Sequence, residues 1–415
     1  MNNLAQQLLF EDKGGKNLHL EHIEDEILNY GITGGRASIN FIQSLRDMFA
    51  GASRSSINMT VKWDGAPAVF AGVDPADGKF FVGKKSVFNV EPQLYKTNAD
   101  VDKYTSGDLN KKLKVALSEF SKLGIKGVLQ GDLMFTNDVS TDTIDGEKVY
   151  TFQPNTIVYV VPVDSDLGRQ IKKAKIGVVW HTTYTGGDLQ SMKASFGVNI
   201  SGLKNVPSVW MDDATFKDVS GSATMTQSET DAITAQLSIA GKTFQTINSP
   251  MLTKFLNLQN SFTGAIVSAG LKTYNNVSVR QGKPISNPKA HAMGYVKHVE
   301  LKLQDMINKS KSPKGKDKYK NLQKEYKREV MKHVKNLTQI ITFQNAIVNA
   351  KMLIVKKLNR VRSIGTFIKT SNGFKVSNPE GYVAIDRVSG NAVKLVDRME
   401  FSFNNFTAIK AWDKS

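Results

Sequence analysis

The chain has 415 residues, 40% of them hydrophobic and 22% charged, which is typical of a globular protein with roughly two or three domains. It contains no cysteine, which excludes a disulfide framework, a thiolate metal site and a cysteine nucleophile. The 55 Lys and Arg residues against 38 Asp and Glu residues give a net charge of +17, which predicts a polyanionic partner such as nucleic acid. Charge that serves solubility or a membrane surface is the alternative.

No run in the sequence approaches the roughly 20 apolar residues needed to span a bilayer. The first residues, Met1 to Gln7, lack the basic-then-apolar order of a secretion signal. We therefore expect a cytoplasmic protein that makes no membrane contact, and no obligate protein partner is evident.

The first fifty residues predict two helices. Apolar residues recur at helical spacing over 17–30, where Gly31 suits the C-terminal stop, and again from Ile39 to Phe49.

The pattern changes to that of β-strands at about residue 56. Asp64-Gly65 is a strong turn signal between two β-like runs, 59–62 and 68–73, so Lys62 is expected at the tip of a hairpin. A helix over 108–122 and further β-rich runs follow, at 79–84, 127–135, 156–163 and 176–184. Regular strand–helix alternation is absent, which favours an antiparallel α+β domain over a parallel Rossmann-like one.

The character of the sequence changes to helical and basic between residues 197 and 363. Helices are expected near 229–240 and 251–269, and a long amphipathic helix is expected to run to about Arg362. The stretch 297–335 carries 12 Lys and one Arg against five acidic residues, and 309–316 has the composition of an exposed linker. Strand patterns return at 366–369, 381–386 and 392–403.

Five short segments resemble, in sequence order, the motifs of the covalent nucleotidyltransferase superfamily, which comprises ATP-dependent DNA ligases, RNA ligases and capping enzymes. Lys62-Trp63-Asp64-Gly65 resembles the K-x-D-G nucleophile motif. Gln130-Gly131-Asp132-Leu133-Met134 resembles the third motif, and Gly177-Val178-Val179-Trp180-His181 resembles the strand whose aromatic residue packs on the purine. Glu380-Gly381-Tyr382-Val383 resembles the E-G motif that binds metal and phosphate, and Ala392-Val393-Lys394-Leu395-Val396 resembles the final lysine-bearing strand.

The resemblance implies an α+β fold with the antiparallel sheets of a nucleotidyltransferase (ATP-grasp-like ligase) adenylation domain, interrupted by a largely helical basic insertion. The expected division is an N-terminal helical segment packed on that domain (1–55), the first part of the domain (56–196), the insertion (197–363) and the final strands of the domain (364–415). The overall character also resembles uncharacterised tailed-phage proteins, which would place the chain in the host cytoplasm.

The resemblance also implies roles for individual residues. Lys62 would attack the α-phosphorus of ATP, and Lys394 would offset the charge on that phosphate in the transition state. Glu380 and Asp132 are the implied ligands of Mg²⁺, which prefers oxygen donors. The residues implied to bind ATP are Asp64, Gly65, Lys84, Asp132, Trp180 and Glu380.

The sequence departs from the superfamily pattern at three points. Asp132 stands where a Glu is usual, and Ala392 occupies the place of a second lysine, for which Arg398 is a candidate substitute. Little sequence follows Lys394, so no C-terminal OB domain is expected. That absence resembles the RNA ligase side of the superfamily.

Several residues have simpler interpretations as well. Lys62 could lie on a surface hairpin. Trp180 could pack in the core, in which case Tyr159 would be the alternative purine contact. Lys84 and Lys85 could lie on a solvated edge strand. Asp132 and Glu380 could each belong to a turn. His181 is interpreted as a satisfied strand histidine, because no second His or Cys stands at ligand spacing.

The predicted function is an ATP-dependent polynucleotide ligase that seals 5′-phosphate and 3′-hydroxyl ends of RNA or DNA through a lysyl-AMP intermediate. The basic helix is predicted to contact the nucleic-acid backbone without reading its sequence, through Lys316, Lys318, Lys320, Lys324, Lys327 and Arg328. The alternatives are a non-catalytic nucleic-acid-binding or phage structural protein, and a nucleotidyltransferase that modifies a protein or a small molecule.

Overall fold

The chain folds into a β-rich body of three sheets and a helical body, seen in a computed structural model that describes residues 22–51, 57–144, 146–214, 224–263, 270–359, 365–370, 373–376, 381–386 and 392–399. The helices in these ranges are α1 (Glu26–Phe49), α2 (Asn98–Tyr104), α3 (Gly107–Phe120), α4 (Asp166–Lys173), α5 (Gln227–Thr246), α6 (Ser249–Thr263), α7 (Leu271–Arg280), α8 (Pro288–Lys309) and α9 (Pro313–Leu358).

The strands in the described ranges are β1 (Ile57–Lys62), β2 (Ala68–Val73), β3 (Phe80–Gly83), β4 (Val128–Phe135), β5 (Ser140–Ile144), β6 (Glu147–Phe152), β7 (Ile157–Pro162), β8 (Ile176–Thr185), β9 (Lys193–Phe196), β10 (Val209–Asp213), β11 (Gly365–Thr370), β12 (Gly373–Val376), β13 (Gly381–Asp386) and β14 (Ala392–Leu395). The sheets run β1-β13-β14, β10-β8-β4-β2-β3 with β9 on β8, and β12-β11-β7-β6-β5. The α+β class with antiparallel sheets is thus confirmed, although β10 and β8 pair in parallel.

The expected hairpin around Lys62 is wrong. Strand β1 pairs with β13, more than 300 residues further along the chain, whereas β2 pairs with β3 and β4. The segment between Lys62 and Ala68 therefore crosses from one sheet to another instead of turning back on itself.

The sheets extend further along the chain than the predicted boundary at residue 196. Strand β10, at Val209–Asp213, pairs with β8, so the six-stranded sheet includes part of the predicted insertion. The late strands return to the β-rich body, because β11 pairs with β7 and β13 pairs with β1.

Local sequence signals explain the geometry of two helical elements. The predicted stop at Gly31 is confirmed: its φ of 61° and ψ of −138° are not helical, so α1 consists of two helical segments that meet at a kink at this glycine. The predicted linker 309–316 is mostly helical, because the Ser312 side chain caps α9 by accepting a hydrogen bond from the Gly315 amide and Pro313 occupies the first turn.

The helical body contacts the β-rich body through the C-terminal half of α9. Ile347 and Ile354 of this helix lie in one buried cluster with Ile42 of α1 and with Ala384 and Leu395 of the three-stranded sheet. The N-terminal half of α9 packs instead on α8 in a separate cluster that includes Tyr326 and Val330. Within the described residues, no helix is both long and apolar enough to cross a membrane.

A buried ion cluster reinforces this junction. The Lys351 Nζ atom of α9 lies 2.9 Å from both carboxylate oxygens of Glu24, and the Arg398 guanidinium lies 3.3 Å from Glu24 and 3.2 Å from Asp25. The Lys351 and Glu24 side chains are 1% and 4% exposed. Arg398, the candidate substitute for a missing motif lysine, therefore serves this cluster.

Removing one partner of this cluster should be costly. We expect Lys351→Met to lower the free energy of unfolding by about 3–5 kcal/mol, because the Glu24 carboxylate would stay buried without its nearest cation. Urea unfolding measures the change. The matched control is Lys309→Met, whose pair with Asp305 has side chains 70% and 53% exposed and should contribute no more than about 0.5 kcal/mol. Equal effects of the two substitutions would contradict the expected role of the cluster.

The same cluster predicts a pH dependence. Burial alone would raise the pKa of Glu24, but Lys351, His22 and Arg398 together hold it well below its ordinary value of 4.5. A carboxyl with a depressed folded-state pKa contributes stability that is present above its unfolded pKa and is lost as the pH falls below it. The stability difference between wild type and Lys351→Met should therefore shrink on acidification below about pH 4.5.

Candidate active site

A cavity of about 510 Å³ lies between the three-stranded and the six-stranded sheets. Its volume is within the range of small-molecule sites. Side chains from both sheets line the cavity. Its lysine, aspartate and histidine residues are Lys62, Lys84, Lys85, Asp132, His181 and Lys394. The sequence had predicted roles in binding or catalysis for four of these six residues.

Lys62 and Lys394 come together through strand register. Lys62 pairs with Gly381 across β1 and β13, and Val383 pairs with Lys394 across β13 and β14. Residues 381 and 383 are two apart on one strand, and paired residues share a face, so both lysines project from the same face of the sheet. Both line the cavity, although 331 residues separate them in sequence.

A glycine is needed at the position opposite Lys62. Gly381 has a φ of +147°, and a Cβ atom added there would lie 2.7 Å from the Leu395 carbonyl oxygen. Glu380, the predicted metal and cofactor ligand, lies outside the described residues.

Asp64 holds the segment after Lys62 in place. Its side chain accepts hydrogen bonds from the Thr156 amide at 2.7 Å, the Ile157 amide at 2.8 Å and the Asn155 side chain at 2.6 Å. Its own amide donates to the Tyr159 hydroxyl at 2.8 Å. Burial raises the pKa of the Asp64 carboxyl, and these donors oppose that effect. Asp64 therefore anchors the segment to β7, and it is not among the residues that line the cavity.

Gly65 allows the same segment to cross closely over β4. A Cβ atom at this position would lie 2.3 Å from the Asp132 Cβ atom. Two backbone bonds fix the crossing: the Ala66 amide donates to the Leu133 carbonyl at 3.0 Å, and the Leu133 amide donates to the Pro67 carbonyl at 3.1 Å. Gly65, like Asp64, does not line the cavity, so the predicted direct contacts of these two residues with a cofactor are replaced by a positioning role.

The predicted contact of Trp180 with a base is wrong. The indole is fully buried and packs on Phe120 of α3, with 5.2 Å between ring centroids. The cause is an irregularity in the β4–β8 register, where Gln130 pairs with Thr182 but Gly131 pairs with Trp180. His181 is the extra residue of this bulge, and the bulge reverses the alternation of side chains below it. Val179, His181 and Thr182 therefore line the cavity.

Tyr159 is also excluded as an exposed purine contact. Its side chain is 2% exposed, and its ring lies 5.3 Å from that of Trp63. Trp63, the unspecified residue of the K-x-D-G pattern, does line the cavity.

Asp132 and His181 face each other across two adjacent strands. The Asp132 Oδ2 atom lies 3.8 Å from the His181 Nε2 atom, and the two side chains are 23% and 27% exposed. The His181 Nδ1 atom lies 2.8 Å from the Thr182 hydroxyl oxygen. Among the described residues, no three His, Asp or Glu side chains converge as a complete protein metal site.

Four other cavity residues were not assigned a site role from the sequence. Lys85 is exposed beside the half-buried Lys84, just after the edge strand β3. Gln130 accepts a hydrogen bond from the Tyr184 hydroxyl at 2.8 Å, and burial raises the pKa of Tyr184 to about 12. Thr182 is the fourth of these cavity residues, beside Lys85, Gln130 and Tyr184. Polar residues at every second position of β4 and β8 are the signal that could have revealed Gln130 and Thr182.

The predicted nucleic-acid residues form a separate surface on the N-terminal half of α9. We call it the basic helix surface: Lys316, Lys318, Lys320, Lys324, Lys327 and Arg328, all exposed. Lys327 and Arg328 pair with Glu300 and Glu329, and Lys320 lies 3.7 Å from Asp317. The 27 residues from Lys324 to Lys351 correspond to roughly 40 Å of helix, so this surface is distant from the junction with the β-rich body.

The chain belongs to a protein family, described as a family of unknown function (DUF6267), whose model matches residues 17–410. A comparison with curated proteins gave no match. A comparison with solved structures gave none either.

The close approach at Gly65 leads to a prediction. Gly65→Ala should lower the free energy of unfolding by about 1–3 kcal/mol, because the added methyl group would push the Lys62 segment away from β4. Gly187→Ala is the matched control, since nothing lies within 4 Å of a Cβ at that position. Chemical denaturation measures both, and an unchanged Gly65→Ala protein would show that the crossing tolerates displacement.

Proposed function

We propose that the chain is an ATP-dependent nucleotidyltransferase of the ligase type, in which Lys62 carries AMP to the 5′-phosphate of a polynucleotide. The observation that supports this most is the meeting of Lys62, Asp132 and Lys394 in one cavity, because the resemblance assigned these residues to three different motifs.

The charge of the cavity fits a nucleoside triphosphate. Lys62, Lys84, Lys85 and Lys394 contribute four cationic side chains, against one carboxylate, Asp132, among the described lining residues. Such an excess of positive charge within a partly enclosed site favours a ligand with several negative charges. The apolar walls, which include Trp63 and Phe70, suit a base.

The proposed reaction has three transfers. The Lys62 ammonium first loses a proton to solvent. The resulting amine forms a bond to the α-phosphorus of ATP, pyrophosphate leaves with the electrons of the broken P–O bond, and a second amine proton passes to solvent. A 5′-phosphate oxygen of the polynucleotide then takes AMP, and Lys62 recovers a proton. Finally, the 3′-hydroxyl attacks the activated 5′-phosphate, AMP leaves, and the strand is sealed.

The other cavity residues have supporting roles in this scheme. Lys394, on the same sheet face as Lys62, would stabilise the charge that develops on the α-phosphate. Lys84 would bind the outgoing phosphates. Asp132 is a partly exposed carboxylate of the kind that Mg²⁺ binds, and the ion would supply charge neutralisation for the phosphates.

The basic helix surface supports a polynucleotide as the acceptor. Lysines and arginines at such a surface bind phosphates with little regard for sequence. The basic helix surface lies roughly 40 Å along α9 from Lys351, at the junction with the β-rich body. It would therefore hold the polynucleotide at a point well away from the end that reacts.

The covalent intermediate provides the direct test. Incubation with α-³²P-labelled ATP and Mg²⁺ should leave label on the wild-type protein after denaturation, and Lys62→Ala should remove it. Lys79→Ala, an exposed lysine outside the cavity, is the control and should label normally. Equal labelling of wild type and Lys62→Ala would sink the proposed mechanism, and binding of nucleic acid without any label would favour a non-catalytic protein.

The basic helix surface makes a separate prediction. Triple replacement of Lys316, Lys318 and Lys324 by Gln should weaken binding of a 5′-phosphorylated polynucleotide and lower the slope of log K against log salt by up to about three. Fluorescence anisotropy at a series of salt concentrations measures the slope.

The control for this experiment carries the same change in net charge. Replacement of Lys103, Lys172 and Lys173, which are exposed on the β-rich body, also takes the formal charge from +17 to +14. An equal loss of affinity in both triple variants would show that net charge alone, and not this surface, is responsible.

A further inference from the structure

We propose that Asp132 and His181 together bind a divalent transition-metal ion inside the cavity. This inference adds a nitrogen ligand to the cavity of the proposed function, but it concerns metal binding and is tested without nucleotide. The sequence had given His181 no role beyond that of a satisfied strand histidine.

The bulge in β8 places the imidazole in the cavity. On a regular strand His181 would face away from Thr182, but the register change between Gln130 and Gly131 brings both side chains to the cavity side. Because β4 and β8 are hydrogen-bonded neighbours, the positions of Asp132 and His181 are fixed relative to each other by the sheet. Two rigid strands thus present the pair.

The hydrogen bond to Thr182 sets the character of the imidazole. When Nδ1 donates its proton to the Thr182 hydroxyl, 2.8 Å away, the lone pair of the ring lies on Nε2. This arrangement is the usual second-shell support of a metal-binding histidine. In this tautomer the electron pair of Nε2 lies 3.8 Å from the Asp132 Oδ2 atom, so two electron-pair donors are close together in the cavity.

A metal ion fits between these two atoms after a small movement. Two neighbouring ligands at roughly 2.1–2.2 Å from an octahedral ion are about 3.0–3.1 Å apart, so the Asp132 Oδ2 and His181 Nε2 atoms must approach each other by less than about 1 Å to close the site. Both side chains are about a quarter exposed, which leaves room for water or phosphate oxygens as the remaining ligands.

The donor set indicates which ion to use as the probe. Imidazole nitrogen favours a first-row transition ion over Mg²⁺, and the carboxylate, water and phosphate oxygens are ligands that Mn²⁺ accepts. The chain offers no thiolate, which a structural zinc site would commonly use. Mn²⁺ is therefore the probe.

The test is a titration of the full-length protein with Mn²⁺ alone, followed by the electron paramagnetic resonance signal of the free ion. We expect saturable binding to the wild type and at least a tenfold loss of affinity in His181→Asn and in Asp132→Asn. Thr182→Val, which removes the hydroxyl that supports the imidazole, should weaken binding tenfold or more as well. Pulsed measurements should detect a nitrogen bound to Mn²⁺ in the wild type and not in His181→Asn.

Two controls separate this inference from its alternatives. Lys85→Gln removes a nearby positive charge and should leave Mn²⁺ affinity unchanged or raised, and Lys62→Ala should keep the nitrogen coupling while losing nucleotide labelling. Unchanged thermal unfolding of His181→Asn confirms that its fold is intact. Absence of saturable binding in the wild type, or undiminished binding in His181→Asn, would overturn the proposal.

Discussion

The anchoring of Asp64 is the constraint on which the β-rich body depends, because all three sheets meet at this point. Lys62 ends a strand of the three-stranded sheet. The Asp64 carboxylate accepts backbone hydrogen bonds at the start of β7 in the five-stranded sheet, and Gly65 lies against Asp132 in the six-stranded sheet. The cavity exists because the chain changes sheets here within a few residues. A lysine at the end of β1 is consequently presented to the space between two sheets, and its surroundings are set by backbone bonds as much as by side chains.

Local sequence patterns predicted most elements but could not predict their partners. Strand β2 was placed correctly from its apolar run and the turn signal before it, and the long helix α9 from its apolar spacing, because these signals are short-range. The partner of β1 begins at Gly381, and no feature of residues 57–62 points that far along the chain. An Asp-Gly turn signal therefore suggested a hairpin where the structure has a crossing. The Ser-Pro pair at 312–313, read as part of a linker, is in fact the cap and first turn of α9.

The residues of the candidate site could likewise be predicted only in part, because a single residue decides which side chains face the cavity. Lys62, Lys84, Asp132 and Lys394 could be picked out from motif order, and the structure brings them to one cavity. Trp180 could not be placed, because a single bulge residue decides which face of β8 it occupies. The same bulge admits His181. One inserted position therefore both removes an aromatic residue from the cavity and adds a titratable one, and neither consequence is visible in the spacing of the sequence.

The pairing of β1 with β13 also determines when the cavity can form. Contacts between residues so distant in sequence carry a large loop-closure cost, and they slow folding relative to local contacts. During synthesis the six-stranded sheet has all its strands once Asp213 has emerged, whereas the wall that carries Lys394 needs residues up to 395 and the ion cluster needs Arg398. The lysine-lined cavity is therefore among the last parts of the molecule to assemble, and a nascent chain holds Lys62 without its opposing strand for most of its elongation.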